Sequence, residues 1–256
     1  MMSPTLRNFL SNLMAMRFSF IPPMPDVERT QRKIRYFKMV VGIQVFLLLV
    51  AVLSEQVLEL LGLPHATKIA ETLFFLGVGI YVVALWDMLR VYTQSRTLIV
   101  SLFVFIMGVF LIAFVTVNPF FRPFNPETTR QLSLVVMASL FGIEVFAIVF
   151  TTLEMIKREM PISEKLWGSA CIYLIIGIAF GGLYEIITVI DYTHFNLGPP
   201  IGASHFMNSI FYSFLILGGL DNPFYDAPNL VVRLSAIEAV WGNLFVVFVI
   251  GRIMYR

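Results

Sequence analysis

Six stretches of this chain are long, apolar and nearly free of charge, at about 39–62, 69–92, 97–118, 131–154, 166–190 and 230–254. Each is close to the ~20 residues that a helix needs to cross the hydrocarbon core of a bilayer. Backbone N–H and C=O groups at that depth must pair within the protein, so the choices narrow to helices or a closed barrel, and runs of this length read as helices. Composition agrees. With 58% apolar and 13% charged residues and a mean hydropathy of +0.84, too little polar side chain is present to cover a water-soluble domain. The expected fold is all-α, six transmembrane helices in one multi-pass protein. Breakers punctuate the links Gly62-Leu-Pro64, Asn118-Pro119 and Gly198-Pro-Pro200.

Between the fifth and sixth stretches lies a seventh, from Phe206 to Leu217, that is too brief to span. It is followed by Gly218, Gly219, Leu220, Asp221, Asn222 and Pro223, and then Pro228. A short apolar helix, a glycine pair, an acid and prolines outline a re-entrant loop, expected over 202–228. Irregular backbone at membrane depth is tolerated where protein buries it or water fills a cavity, so the loop implies a lumen.

At these residues the chain resembles the pore domain of the tetrameric potassium-channel superfamily, in particular small bacterial members that lack a cytosolic gating ring. The likeness rests on Phe211-Tyr-Ser-Phe-Leu215, on Arg233-Leu-Ser-Ala-Ile-Glu-Ala-Val-Trp-Gly-Asn-Leu-Phe245 with Gly251-Arg-Ile-Met254, and on Cys171-Ile-Tyr-Leu-Ile-Ile-Gly-Ile-Ala-Phe180 with Leu183-Tyr-Glu185. The resemblance, over about residues 165–254, implies a homotetramer in the lipid bilayer with a pore domain at 159–256; charge and apolar runs divide the preceding residues into a cytoplasmic amphipathic segment at 1–38 and a four-helix membrane domain at 39–158. In the family the filter reads Thr-x-Gly-Tyr-Gly-Asp, whose glycines let successive carbonyls replace the water around a potassium ion. Here an alignment on Tyr212 places Gly219 to Pro223 in the filter, and an alignment on Asp221 places Ile216 to Asp221 there. Neither register rebuilds the potassium filter, since Pro223 fixes φ in the first and Leu220 replaces a glycine in the second.

Asp221 carries the functional expectation. In a fourfold assembly it forms a ring of carboxylates, and such rings select cations and bind divalent ions more strongly than monovalent ones. Its other reading is a cap on the turn before Pro223. Charge sorting gives the orientation: with the amino terminus inside, 14 of the 18 lysines and arginines fall on one side, leaving Lys68, Arg122, Arg130 and Arg233 opposite. Both termini are then cytoplasmic and the protein sits in the cell (inner) membrane. The outer face keeps nine acids, Asp221 among them, which would concentrate cations such as K+, Na+ or Ca2+.

Further polar residues fall inside spans. Glu238 matches a family position that carries the same acid behind the filter, which implies, with Tyr212, a supporting role for the loop. Gly242 is expected as a hinge or a close-packing residue, and Asn243 as a cavity-facing amide or an interhelical hydrogen bond. Glu144, midway along the fourth stretch, reads as protonated, as hydrogen-bonded to a neighbouring helix, or as a pH sensor. Trp86 and Trp167 read as interfacial anchors, and Trp241 as packed behind the filter. Before Pro22-Pro23, the helical spacing of Leu6, Phe9, Leu10, Leu13 and Met14 reads as a helix lying on the cytoplasmic membrane surface or as an amphipathic helix packed on the inner rim of the bundle.

Gating by voltage through the fourth helix is not expected, because Gln131 to Met155 holds no lysine or arginine. The chain ends at Arg256, just past the sixth span, so no cytosolic nucleotide- or calcium-binding ring is expected either. His65, His194 and His205 lack metal-helix spacing and no Gly-x-Ser-x-Gly occurs, so neither an enzyme nor a cofactor is expected; nor is a nucleic-acid partner. The expected function is a cation-permeable channel that is not potassium-selective in the usual way. Alternatives are a non-conducting channel-like subunit or a potassium channel with an altered filter.

Overall fold

The computed structural model describes residues 26–92, 96–117, 124–156, 161–190, 203–220 and 229–254. These residues form helices α1 (Asp26–Leu60), α2 (Ala66–Tyr92), α3 (Arg96–Val117), α4 (Pro126–Ile156), α5 (Ile162–Ile190), α6 (Ala203–Leu217) and α7 (Asn229–Met254). No strand occurs among them. All but α6 contain a stretch long and apolar enough to cross a membrane, as the six expected spans require, and α6 has only 15 residues. Helix α1 starts well before residue 39. Its charged beginning is built of Glu, Arg, Gln and Lys without a breaker, so nothing separates it from the apolar part, Ile34–Leu60. The surface helix expected before Pro22-Pro23 lies outside the described residues.

The helix ends follow from local chemistry. Gly62 takes φ 67°, letting its N–H reach Glu59 O at 2.9 Å while Leu63 N–H reaches Leu58 O at 3.2 Å; this left-handed cap closes α1. Helix α4 opens with Asn125, whose Oδ1 accepts the Thr128 N–H at 2.8 Å, and with Pro126 in the first turn, where no N–H is needed. From α4, the Arg130 guanidinium donates to the last carbonyls of α5, Val189 O at 2.8 Å and Ile190 O at 2.7 Å.

Within Lys33–Arg256, which forms one compact unit, the largest buried cluster draws on α1 to α6, from Phe37, Leu47 and Phe74 through Tyr81, Ile106 and Leu140 to Ile175, Phe206 and Ile210. Side chains of α4 and α5 belong to this same cluster. Helix α5 is the central element: 61% of its apolar window is buried, against 22% for α7. At one end of the bundle Gly168 of α5 lies against Met155 of α4 and Phe37 of α1. Nearby Lys38 Nζ sits 5.3 Å from the Trp167 ring, and Arg90 stands 5.3 Å over Trp86, whose indole N–H donates to Ile99 O at 3.0 Å.

Two adjacent glycines of α5 differ sharply in surroundings. A Cβ on Gly181 would fall 2.9 Å from the Ile210 Cα and 3.1 Å from its backbone N, whereas Gly182 has nothing within 4 Å. The missing side chain at Gly181 is what allows α6 to lie directly on α5. Gly181→Ala is therefore expected to cost about 1–3 kcal/mol through overpacking, while Gly182→Ala is neutral or slightly stabilising because helical glycine is itself unfavourable. Thermal unfolding of the two variants in detergent tests the difference.

Candidate functional site

Helix α6 is seated between α2, α5 and α7 by polar contacts at both ends. At its start, Glu71 Oε1 of α2 accepts from the Ser204 N–H at 3.3 Å and from the Ser204 hydroxyl at 2.6 Å. A carboxylate thus serves one of the amides that the first turn of a helix leaves unpaired. His205 Nδ1 forms a short hydrogen bond with Glu185 Oε2 of α5, and Ser209 donates to the same oxygen at 3.3 Å. All three side chains are buried.

At its other end, Tyr173 OH of α5 donates to Leu217 O at 3.1 Å. Gly219, at φ 68°, donates to Ile216 O at 3.1 Å, and Leu220 N–H reaches Leu215 O at 3.0 Å. This left-handed cap turns the chain out of α6. Leu217 also packs on α7: a Cβ on Gly242 would lie 2.7 Å from the Leu217 Cδ2.

Depth follows from these partners. His205 faces the carboxyl-terminal part of α5, whereas Leu217 meets Tyr173 in its amino-terminal half and Gly242 near the middle of α7. Helix α6 therefore runs antiparallel to α5, starts at one end of the bundle and stops about halfway along it. Its carboxyl-terminal end, with the exposed Gly218, Gly219 and Leu220, brings the negative end of the helix dipole to that depth.

A second network fastens the middle of α6 to α5 and α7. Ser213 donates to Gly177 O at 2.6 Å and makes a short contact with Glu238 Oε1. Glu238 Oε2 accepts from Tyr184 OH at 2.6 Å. Ser235 Oγ joins Tyr212 OH at 2.7 Å and Tyr184 OH at 3.1 Å, and itself donates to Val231 O at 2.9 Å. The Tyr184 and Tyr212 rings meet edge to face with centroids 4.8 Å apart. Every one of these side chains is buried.

Of the residues singled out in the sequence, Glu238 and Tyr212 fall in this one network, and Gly242 packs tightly under the end of α6. Gly218, Gly219 and Leu220 form the terminal turn. Asn243 is exposed on α7. Trp241, expected behind the loop, is 58% exposed in the single chain. Asp221, Asn222 and Pro223 lie outside the described residues. Ser213, Tyr184, Ser235, Tyr173 and the Glu71–Ser204 cap were not read from the sequence. One signal was available: His205, Ser209 and Ser213 recur every fourth residue, a polar stripe on a largely apolar helix.

Among the described residues no group of three or more His, Cys, Asp or Glu side chains could hold a metal ion. Comparison of the chain with protein-family models, characterised proteins and solved structures gave no match.

Hydrogen bonds between membrane helices average well under 2 kcal/mol, but Glu238 accepts or shares several, and removing one donor leaves a buried carboxyl oxygen unpaired. Tyr184→Phe and Ser213→Ala are each expected to destabilise by about 1–3 kcal/mol. The double variant should fall short of the sum, because both act on Glu238. A double-mutant cycle by denaturation in mixed micelles measures this coupling.

Proposed function

We propose that the chain is one subunit of a homotetrameric, cation-permeable channel in which α6 is a pore helix and the turn after it begins a re-entrant filter loop. The observation that carries this reading is the depth of α6: a 15-residue helix that stops midway along its neighbours with its carboxyl-terminal end aimed inward. Such a helix end favours cations, and the exposed glycine turn leads directly to Asp221. In the sequence-based orientation, 14 of the 18 basic residues lie inside; α6 then enters from the outer face, and both termini are cytoplasmic.

A pore on a fourfold axis needs further copies of the chain. Leu230, Ile237, Val240, Trp241, Leu244 and Val247 leave α7 with large exposed apolar side chains, and Phe211 adds to them from α6. In the assembly, α7 lines the axis, Asn243 turns to the cavity, and four Asp221 carboxylates ring the ion path and set preference for cations over anions. The likeness of Phe211 to Leu215 and of Arg233 to Phe245 to the potassium-channel superfamily supports the same arrangement. A filter without the family's glycine pattern gives weak discrimination between potassium and sodium. The absence of basic residues over Gln131 to Met155 removes voltage as a driver through α4.

Purified protein reconstituted in a planar bilayer, with potassium opposite sodium, is expected to pass current with a reversal potential near zero, and added calcium is expected to reduce it. A strongly potassium-shifted reversal would support a potassium filter instead, and tetrameric protein without current would support a non-conducting subunit. Asp221→Asn is expected to weaken calcium block by about tenfold or more, since it removes the full charge of the ring. An unchanged block would remove Asp221 from the ion path.

A further inference from the structure

A second buried polar centre lies away from α6. Glu144 of α4 is fully buried, and neither carboxylate oxygen has a hydrogen-bond partner. The Tyr81 hydroxyl of α2 faces it, and Gln44 of α1 faces Tyr81 in turn. Tyr81 OH and Gln44 Oε1 are likewise buried and unbonded. Gln44 is oriented by donation from its Nε2 to Cys171 O of α5 at 3.5 Å, which leaves its carbonyl oxygen as the free acceptor.

Unbonded oxygen atoms of Glu144, Tyr81 and Gln44, from three helices, thus belong to one set of contacts centred on Tyr81. Among the described residues no cationic side chain answers the carboxylate. Tyr81 is the group that interacts with it, and Cys171 of α5 faces Tyr81. Helix α3 carries no ionisable side chain after Arg96. Asp87 and Arg90 pair with each other at the end of α2, and Glu185 pairs with His205. A bare carboxylate in such a place is strongly disfavoured, so the centre calls for a positive charge from outside the protein.

We propose that Glu144, Tyr81 and Gln44 form a binding site for one monovalent cation, taken up as a proton or as a dehydrated alkali ion. Carboxylate, amide and hydroxyl oxygens suit hard cations, not soft metals. The bound charge joins α1, α2 and α4, and the Gln44–Cys171 bond extends the brace to α5, so occupancy stabilises the four-helix part. This inference stands apart from the pore reading, because it uses no residue of α6, α7 or the loop.

A ligand that binds the folded state alone raises the unfolding temperature by mass action. The test is thermal unfolding of the full chain in lipid nanodiscs, first across pH at fixed sodium, then across sodium and potassium at fixed pH with choline holding ionic strength constant. A proton site gives a Tm that rises as pH falls and ignores sodium; an alkali site gives a Tm that rises with that cation. Glu144→Gln replaces the carboxylate with a neutral amide and should abolish whichever response the wild type shows. Indifference of the wild type to both titrations, or an equal response in Glu144→Gln, would overturn the site. Should that variant not fold, Tyr81→Phe keeps the ring and removes one oxygen. It should move the midpoint of the response about tenfold, as expected for one hydrogen bond to a charged group, and an unmoved midpoint would equally overturn it.

Discussion

A helix held within a bundle leaves amides at its start and carbonyls at its end without intrahelical partners, and the seating of α6 depends on how that cost is met. Its neighbours meet it. Glu71 reaches across from α2 to the first turn, Tyr173 reaches from α5 to the last one, and the left-handed Gly219 returns two further bonds to the helix itself. A short apolar helix with free ends would slide along the bundle or leave it. Pinned at both ends, it has one depth and one direction.

Between the ends, apolar packing and polar bonding divide the work. Close approach comes from small residues: Gly181 admits the Ile210 backbone, and Gly177 admits the Phe214 ring. That contact alone would allow slippage, because dispersion is nearly indifferent to small shifts of apolar surfaces. The Ser213, Glu238, Tyr184, Ser235 and Tyr212 bonds are directional and fix the register of three helices at once. Their worth lies as much in the single arrangement they permit as in their net energy.

The six spans could be read directly from the sequence, because crossing a bilayer demands long apolar runs and Asn118-Pro119 or Gly198-Pro-Pro200 can only punctuate them. The short helix was visible for the same reason, as an apolar run from Phe206 that ends too soon. Glu238 and Tyr212 were reached through the resemblance, and the structure places them in one network. The cap by Glu71 could not be read: it lies over a hundred residues from Ser204, and one acid in the first turns of α2 looks like any other. The partners of Glu144 were equally hidden, since Gln44 and Tyr81 are unremarkable within their own helices and gain meaning only when three helices meet. Helix α1 runs past its apolar stretch toward Asp26, because Glu, Arg and Lys end a membrane span without ending a helix.

Leu217 is held on two sides, by the Tyr173 hydroxyl on its carbonyl and by Gly242 against its side chain. A side chain at position 242 would meet the Leu217 methyl before anything else. The bare backbone of Gly242 is therefore what lets the long helix touch the last turn of the short one, so that the Gly218–Gly219 turn begins from a residue whose carbonyl and side chain are each spoken for by a different helix.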